Sequence, residues 1–280
     1  MKVREVSSKR GFFNLDFKEI WSYRDLLFLF IRRDFVSVYK QTILGPIWFF
    51  IQPIFTTLIF SVIFGRLAQI STDGLPAFLF YLTGISCWNY FADCLLKTSN
   101  TFVLNSALFG KVYFPRLITP LSIVMSNLLK LGVQLLMFFA VYIYFYIDGA
   151  AIEMNRFALL LPVLILMMAA LGLGLGLMIS SLTTKYRDLQ FLIAFGIQLF
   201  MYATPVVYPL SLVQEKLGEY AWIAFLNPMS AIIETFKYGF LGKGVFDLNG
   251  FMLSAGVIIV ILILGVFTFN RVEKSFMDTV

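Results

Sequence analysis

The sequence predicts an all-α integral membrane protein. It has 280 residues, of which 60% are hydrophobic and only 14% are charged, and its mean hydropathy is +0.85. Soluble domains carry about 25% charged residues. The apolar residues form runs close to the length of about 20 residues with which a helix crosses a bilayer. We therefore expect six transmembrane helices, an N-terminal amphipathic helix at the membrane interface, and a re-entrant helical hairpin on the outer side between the fifth and sixth spans.

We attribute the net charge of +6 to an excess of Lys and Arg on the cytoplasmic side of a membrane and not to nucleic-acid binding. Lys and Arg are retained on the cytoplasmic side of a membrane. With the N-terminus inside, the inner segments hold sixteen Lys and Arg and the outer segments hold five. This asymmetry predicts a multi-pass protein with both termini in the cytoplasm. We place the spans at 45–64, 77–96, 118–147, 157–180, 189–207 and 251–269.

These spans divide the chain into three parts. Residues 1–44 form a cytoplasmic segment that contains the interfacial helix, residues 45–269 form the transmembrane domain, and residues 270–280 form a cytoplasmic tail. The pair Gly45-Pro46 separates the charged first part from the apolar first span. Pro cannot continue a helix that precedes it, so we expect the interfacial helix to end before this pair.

Several kinds of chemistry are excluded by residue type. The chain has no His, the commonest metal ligand and general base, and no Walker motif for ATP. Cys87 and Cys94 are seven residues apart on one predicted helix, and two helical turns separate them by roughly 10 Å, too far for a disulfide. We therefore predict no catalytic residues, no metal site and no cofactor in this chain.

The N-terminal segment predicts an interfacial helix. Leu26, Leu27, Phe30 and Ile31 form an apolar stripe with arginines beside it, and Trp21 is an aromatic anchor of the kind found at headgroup level. A basic membrane anchor with no part in gating is the alternative. Arg32 and Arg33 are candidates for contact with lipid headgroups or for a gate.

Residues 208–250 predict the outer hairpin. Two short helical patterns cover about 211–219 and 229–241, and the second begins with Asn227, a capping residue, followed by Pro at the first helical position. Its apolar residues lie on one face, and we place Glu234 and Lys237 on the opposite one. Asn227, Glu234 and Lys237 are therefore candidates for an outer gate. A bulky outer loop is the alternative.

Two predicted spans combine aromatic rings and amides on one face. The first span has Trp48, Gln52 and Phe55 with Thr56 beside them, and the fifth has Phe195, Gln198 and Tyr202. A glutamine amide needs hydrogen-bond partners, which lipid does not offer. A flat ring beside an amide suits the C–H face and the hydroxyls of a sugar. These faces are our candidates for a substrate channel, and helix–helix contacts are the alternative.

Two charges lie inside predicted spans. Asp93 and Lys130 each cost on the order of 2.5–3.5 kcal/mol at the centre of a membrane helix, and the sequence leaves open whether they pair. The fourth span contains a different signal, Gly172 and Gly176 with three residues between them, which allows close approach of another helix.

Several segments together resemble one family, the membrane permease of bacterial polysaccharide ABC exporters of the O-antigen and teichoic-acid type. The resemblance covers the chain from about residue 25 to its end. It is carried by RRDFVSVYKQTILGPIWFFIQP at 32–53, FPRLITPLS at 114–122, KYRDLQ at 185–190, NPMSAIIETFKYGF at 227–240 and FNRVEKSFMDTV at 269–280.

This resemblance implies partners and a location. We expect a homodimer in the bacterial cytoplasmic (inner) membrane with two ATP-binding cassette subunits docked below it, which bind ATP and Mg²⁺ in place of this chain. The expected substrate is a polysaccharide linked to undecaprenyl diphosphate, which crosses through a channel at the dimer interface. Membrane lipid is a further partner, and nucleic acid is not.

The family also implies where the ATPase docks. The contact lies in the first cytoplasmic loop, here residues 97–116, where we expect Ser99 to cap a short helix and Phe102, Val103 and Leu104 to offer apolar contacts. The loop containing Lys185 and Arg187 is by analogy a second contact or a headgroup site. Its alternative is that Asp188 only caps the fifth span.

Three functions remain open from the sequence. They are an ATP-driven exporter permease, of O-antigen or alternatively of teichoic acid, a proton-coupled flippase of lipid-linked sugar, and a membrane transferase. A proton-coupled carrier needs a relay of ionisable groups within the membrane, and only Asp93 and Lys130 are available. A transferase needs a base or paired carboxylates in a loop. Copurification of an ATP-hydrolysing subunit would discriminate between them.

Overall fold

The computed structural model describes residues 17–40, 45–186 and 188–277, and all regular structure within them is helical. Short 3₁₀ helices at Gly45–Ile47, Arg156–Leu160 and Gly218–Ala221 connect the longer elements, and a π-helical stretch, Ser61–Leu67, continues the third helix. The α-helices are α1 (Phe17–Ser22), α2 (Arg24–Tyr39), α3 (Trp48–Phe60), α4 (Ala77–Ser99), α5 (Thr101–Phe109), α6 (Ile118–Ile147), α7 (Leu161–Thr183), α8 (Leu189–Tyr202), α9 (Leu210–Leu217), α10 (Trp222–Phe225), α11 (Pro228–Leu241) and α12 (Leu248–Met277).

Four helical stretches are long and apolar enough to cross a membrane, and they match the first, third, fourth and sixth predicted spans. They are Trp48–Leu67, Ile118–Ile147, Arg156–Thr183 and Leu248–Glu273. α4 has sufficient length but is more polar and mostly buried among other helices, and α8 is apolar but has only 14 residues. The two remaining spans, and with them the count of six, therefore stay predictions.

The fold is organised around α4 and α7. α4 packs against α3, α6, α7 and α8, and α7 lies between α4 and α12. Gly172 and Gly176 face α4, where an added Cβ would come within 2.8 Å of Cys94 and 2.6 Å of Thr98. Gly174 faces α12 on the other side. The structure thus confirms the close helix approach that the glycine pattern predicted. The glycines allow two helices, α4 and α12, to approach α7 from opposite sides.

An aromatic cluster joins several elements at the predicted cytoplasmic end. It consists of Phe30 from α2, Phe102 and Phe109 from α5, Phe114 from the following loop, and Phe269 from α12. The rings of Phe102 and Phe269 stack with centroids 4.6 Å apart, and those of Phe30 and Phe114 meet edge-on at 5.7 Å. The aromatic cluster therefore ties α2, α5 and α12 into one unit.

The interfacial helix packs mainly on protein. Leu26, Leu27 and Phe30, which the sequence placed on the membrane-facing stripe, contact the aromatic cluster and its surroundings, and α2 lies along α6. Trp21 and Phe28 remain exposed on its other side and are available to lipid. α2 ends at Tyr39, before Gly45-Pro46, as predicted.

The last helix does not end where the tail was predicted to begin. α12 continues to Met277, so the boundary between residues 269 and 270 lies inside a helix. The side chain of Arg116 is buried against this end of α12, where its Nη1 donates to the carbonyl of Glu273 at 3.1 Å. Residues 1–16, 41–44 and 278–280 of the predicted cytoplasmic segments lie outside the described part of the chain.

The crossing of α7 and α12 yields a first prediction. Gly265 in α12 contacts the backbone of Gly174, so an added methyl group cannot be relieved by moving a side chain, whereas Gly256 in the same helix has open space around it. We expect Gly265→Ala to lower the free energy of unfolding by about 1–3 kcal/mol through overpacking. Gly256→Ala should leave it unchanged or raise it by about 0.5–1 kcal/mol, because Ala is the better helix former. Thermal unfolding of both variants in detergent checks this, and equal stability would contradict the crossing.

Candidate functional site

A cavity of about 400 Å³ lies between α2, α3, α4, α5 and α6, near the predicted cytoplasmic end. Three cationic side chains reach its wall from different helices, Arg33 from α2, Lys97 from the last turn of α4, and Lys130 from α6. We call it the basic cavity. Its polar lining also includes Asp34, Ser37, Asn105, Thr119, Ser126 and Asn127.

The two in-span charges pair beside the basic cavity. Lys130 Nζ donates to Asp93 Oδ2 at 2.7 Å, and the two side chains are only 17% and 26% exposed. Lys130 lies three turns into α6, roughly 18 Å from its first residue. The pair therefore removes most of the cost of placing each charge there, and it answers the question that the sequence left open.

The other two cations are each held by one partner. Lys97 Nζ donates to Asn127 Oδ1 at 2.7 Å, and an ammonium group carries three donors, so it can bind further acceptors. Arg33 donates from Nε and Nη2 to Asp34 Oδ1 at 2.9 and 2.8 Å, and its guanidinium lies 4.6 Å from the centre of the Phe30 ring. These contacts orient the cationic groups at the cavity wall.

The sequence contains a signal for this site in the spacing of polar residues on two helices. Asp93 and Lys97 are four residues apart and share one face of α4, and Asn127 and Lys130 are three residues apart on one face of α6. Two apolar helices that each carry a polar pair at helical spacing predict facing polar surfaces. The amide of Asn105 in α5 has no comparable pattern around it.

The α3 face predicted to line a channel lies on the surface of the chain. Trp48 and Phe55 are 48% and 61% exposed, and Gln52 lies between them, also exposed. The Thr56 hydroxyl donates to the carbonyl of Gln52 at 2.9 Å, so it serves the helix backbone. An exposed amide on a membrane helix points to contact with something other than lipid hydrocarbon.

The α8 face is also on the surface. Phe195, Gln198 and Tyr202 are all exposed, and Phe200 beside them packs on Trp88 of α4 with ring centroids 5.8 Å apart. Both α3 and α8 rest on α4. Both aromatic–amide faces are therefore open to a second chain, a substrate or lipid.

The predicted ATPase contact is only partly at the surface. Leu104 in α5 is 74% exposed, whereas Phe102 is 1% exposed in the aromatic cluster, and Val103 is half-buried. The prediction that Phe102 offers an outward apolar contact is wrong, because the rotation of α5 points this ring at Phe269. Leu104 is the residue that an ATPase could reach.

The predicted cap is also wrong. Ser99 is the last residue of α4 and is buried, and its hydroxyl donates to the carbonyl of Leu96 at 2.8 Å. Its own carbonyl accepts from Thr183 Oγ1 at 2.8 Å, which joins α4 to the end of α7. Ser99 thus connects two helices and does not start α5.

The residues predicted for headgroup contact separate into different places. Arg33 lines the basic cavity, whereas Arg32 is exposed beside it. Lys185 lies in the turn between α7 and α8 with its ammonium 5.3 Å from the centre of the Tyr186 ring. Arg187 lies outside the described residues.

Two of the outer-gate candidates, Glu234 and Lys237, are buried, and the third, Asn227, is half-buried. Asn227 caps α11 as predicted, accepting from Met229 N at 3.0 Å, and its amide donates to Thr204 Oγ1 at 2.8 Å. The sequence placed Glu234 and Lys237 on the face opposite the apolar residues, and in the structure that face is buried too. α11 is covered on nearly all sides, so both side chains point inwards.

Glu234 and Lys237 form a buried ion pair that joins two loops. Lys237 Nζ donates to Glu234 Oε1 at 3.2 Å and to the carbonyl of Pro205 at 2.8 Å, and it lies 3.9 Å from the centre of the Phe80 ring. Glu234 Oε2 accepts from Val245 N at 3.3 Å. Burial lowers the pKa of the Lys237 ammonium, and the charge of Glu234 opposes this shift. The pair thus binds α11 to the segments after α8 and before α12.

Comparison with known proteins places the chain among transporters. The sequence model of one family, ABC-2 type transporter, matches residues 25–241. Two proteins of Klebsiella pneumoniae, both named O-antigen export system permease protein RfbA, are 25% and 26% identical to this chain, over 91% of it and 94% of their own length. A protein of the same name from Myxococcus xanthus is 25% identical over 94% of this chain and 98% of its own length.

The buried ion pair yields a second prediction. We expect Glu234→Gln to destabilise the protein by about 3–5 kcal/mol, because it leaves the Lys237 charge buried without its partner. The double variant Glu234→Gln/Lys237→Met should recover much of this loss, since it leaves no buried charge. Asp25→Asn, in the exposed pair with Arg24, should change stability by less than about 1 kcal/mol. Unfolding in detergent measures all three, and a single variant as stable as the double would contradict the burial.

Proposed function

The chain belongs to the ABC-2 type transporter family, and from this we propose that it is the permease of an ATP-driven exporter that moves lipid-diphosphate-linked O-antigen polysaccharide across the bacterial cytoplasmic membrane. The observation that carries the proposal is the family match over residues 25–241, together with near full-length relatives named as O-antigen export permeases. Those names favour O-antigen over teichoic acid. Family membership favours an ATP-driven exporter over a proton-coupled flippase or a transferase.

We propose that two copies of the chain form the channel with their aromatic–amide faces. Gln52 on α3 and Gln198 on α8 are exposed on the two apolar helices, and an amide facing lipid hydrocarbon lacks hydrogen-bond partners. A second copy or a hydrated glycan would supply them. A contact between two aromatic rings in a protein contributes about 0.5–1.5 kcal/mol beyond the burial of area. A contact between a ring and a sugar of similar strength would be weak enough for the polysaccharide to move along the channel.

We further propose that two ATP-binding cassette subunits, which hold ATP and Mg²⁺, act on α5. The exposed Leu104 offers them an apolar contact, and the opposite side of α5 is part of the aromatic cluster. A push on α5 would reach α12 through the stacked rings of Phe102 and Phe269. The push would also reach α7 by two routes. One is the direct contact between α5 and α7, and the other is the Ser99–Thr183 hydrogen bond at the turn that precedes α5.

The ATPase contact yields a third prediction. Leu104→Asp should weaken copurification of the ATPase roughly fivefold or more, because truncating a central interface residue costs more than about 1 kcal/mol and a charge adds a desolvation cost. Leu104→Met should copurify normally. Leu159, equally exposed but at the opposite end of the spans, provides the control, and Leu159→Asp should leave the interaction intact. Undiminished copurification of Leu104→Asp would remove α5 from the interface.

The channel yields a fourth prediction. A photoreactive amino acid in place of Gln52 or Gln198 should crosslink to polysaccharide when export is stalled, because both positions face the proposed channel. The same group at Ile263 of α12, which is also exposed, should crosslink to lipid only. Gel mobility and detection of the polysaccharide distinguish the products. Crosslinks from positions 52 and 198 to lipid alone, during active export, would place the channel elsewhere.

A further inference from the structure

We propose that the basic cavity binds the phosphate-bearing headgroup of a lipid from the cytoplasmic leaflet, and that it is the docking site for the diphosphate of the transported lipid-linked glycan. The second part rests on the proposed function, and the first does not. Five helices build the cavity, and three of them, α2, α4 and α6, each contribute one cation.

The charge of the basic cavity favours an anion. Among the described residues, its wall carries Arg33, Lys97 and Lys130 but a single carboxylate, that of Asp34. Counting Asp93, the partner of Lys130, as well, three positive charges face two negative ones. The remaining positive charge is in a half-enclosed space, where charge-assisted hydrogen bonds to a phosphate are stronger than in water.

Neutral donors complete the site for a phosphate. The Thr119 hydroxyl lines this space and is buried with no hydrogen-bond partner among the described residues, whereas the Ser126 hydroxyl donates to the carbonyl of Ile123. The amides of Asn105 and Asn127 line it as well. Each donates one N–H within the protein, to the carbonyl of Thr101 and to Cys94 Sγ, and carries a second. Amide and hydroxyl groups donate to phosphate oxygens that remain after the cations are engaged. The volume of about 400 Å³ is within the range of about 300–1,000 Å³ typical of small-ligand pockets.

The position of the basic cavity suits the headgroup of a lipid whose acyl or prenyl tail stays in the bilayer. α2 forms one wall, and its exposed Phe28, with the exposed Trp21 of the preceding α1, matches a segment lying at headgroup level. Phe49, in the first turn of the apolar helix α3, and Ile123 line the cavity as well. Basic pockets between membrane helices on the cytoplasmic side are known sites for anionic lipid headgroups.

A purely structural role explains the cations less well. The Asp93–Lys130 pair would suffice to join α4 to α6, and buried ion pairs are weak contributors to stability. Lys97 adds a second cation at the same crossing and is held by the neutral amide of Asn127, not by a carboxylate. A cation that has no carboxylate partner in the hydrogen bonds described, beside a cavity at the predicted cytoplasmic end, is suited to an anionic headgroup.

A ligand in the basic cavity would lie directly beside the proposed ATPase contact. Leu104 and Asn105 of α5 are neighbours, and both line the cavity, while Leu104 is also the exposed residue proposed to meet the ATPase. Arg33 on α2 is 45% exposed, and its contacts with Asp34 and the Phe30 ring are both within its own helix, so it can turn towards an entering phosphate. A bound headgroup would therefore connect α2, α4 and α6 beside the helix that the ATPase pushes.

The test measures lipid binding by the full-length chain in phosphatidylcholine nanodiscs, by native mass spectrometry. Undecaprenyl diphosphate is titrated first, then phosphatidylglycerol, inorganic diphosphate and neutral undecaprenol. The variants are Arg33→Gln, Lys97→Gln and the double Asp93→Asn/Lys130→Gln, which leaves no unpaired charge. Arg24→Gln is the matched control, because Arg24 lies on the same helix as Arg33 but does not line the cavity.

We expect undecaprenyl diphosphate to bind, undecaprenol not to bind, and each cavity variant to weaken binding about tenfold or more, since a hydrogen bond to a charged group is worth at least that factor. Arg24→Gln should bind like the unchanged protein. Preference for undecaprenyl diphosphate over phosphatidylglycerol identifies the carrier as the ligand. Equal affinity for both supports a phospholipid headgroup site and overturns the assignment to the carrier.

Binding that is insensitive to all three cavity variants, or equal binding of undecaprenol, overturns the proposal. Thermal unfolding of each variant separates loss of binding from loss of fold. An export assay in cells separates this inference from the proposed function. Polysaccharide export by a protein that binds no diphosphate lipid would retain the function and reject the site, whereas binding without any export would retain the site and reject the function.

Discussion

The architecture depends on how a polar helix is kept away from lipid. α4 carries Asp93 and Lys97 together with many hydroxyl and amide side chains, and a bilayer accepts such groups only when protein or water satisfies them. The surrounding helices provide this environment. α6 supplies Lys130 and Asn127 as partners, and α7 approaches closely enough, through Gly172 and Gly176, to exclude lipid from that side. The more apolar helices can then remain exposed around α4.

Different interactions stabilise the two ends of the helix bundle, aromatic packing at one and a buried ion pair at the other. At the predicted cytoplasmic end the aromatic cluster joins α2, α5 and α12 through ring contacts. At the other end the Glu234–Lys237 pair is directional, with hydrogen bonds to the carbonyl of Pro205 and the amide of Val245. The buried pair thus holds α11 through directional contacts, whereas the aromatic cluster holds its helices through apolar packing.

At the predicted cytoplasmic end, α5 lies where the proposed headgroup site and the proposed ATPase contact meet. α5 presents Leu104 outwards, Phe102 to the aromatic cluster and Asn105 to the basic cavity. One short helix therefore contacts the proposed partner, the last helix and the proposed headgroup site. Coupling between substrate and ATP hydrolysis needs a physical connection of this kind, because a ligand can bias a conformational equilibrium only through contacts that differ between its states.

Local properties of the sequence were enough to predict much of the fold. The bounds of α6, the break before Gly45, the cap at Asn227 and the apolar length of four spans follow from hydropathy, Pro and capping chemistry, which depend only on neighbouring residues. The rotation of each helix was decided by tertiary packing. Periodicity places Glu234 on a polar face and Phe102 on an apolar one, yet the first is buried in an ion pair and the second faces Phe269, not a partner protein. The basic cavity depends on tertiary structure for the same reason, because its three cations come from helices far apart in sequence and only packing brings them to one wall.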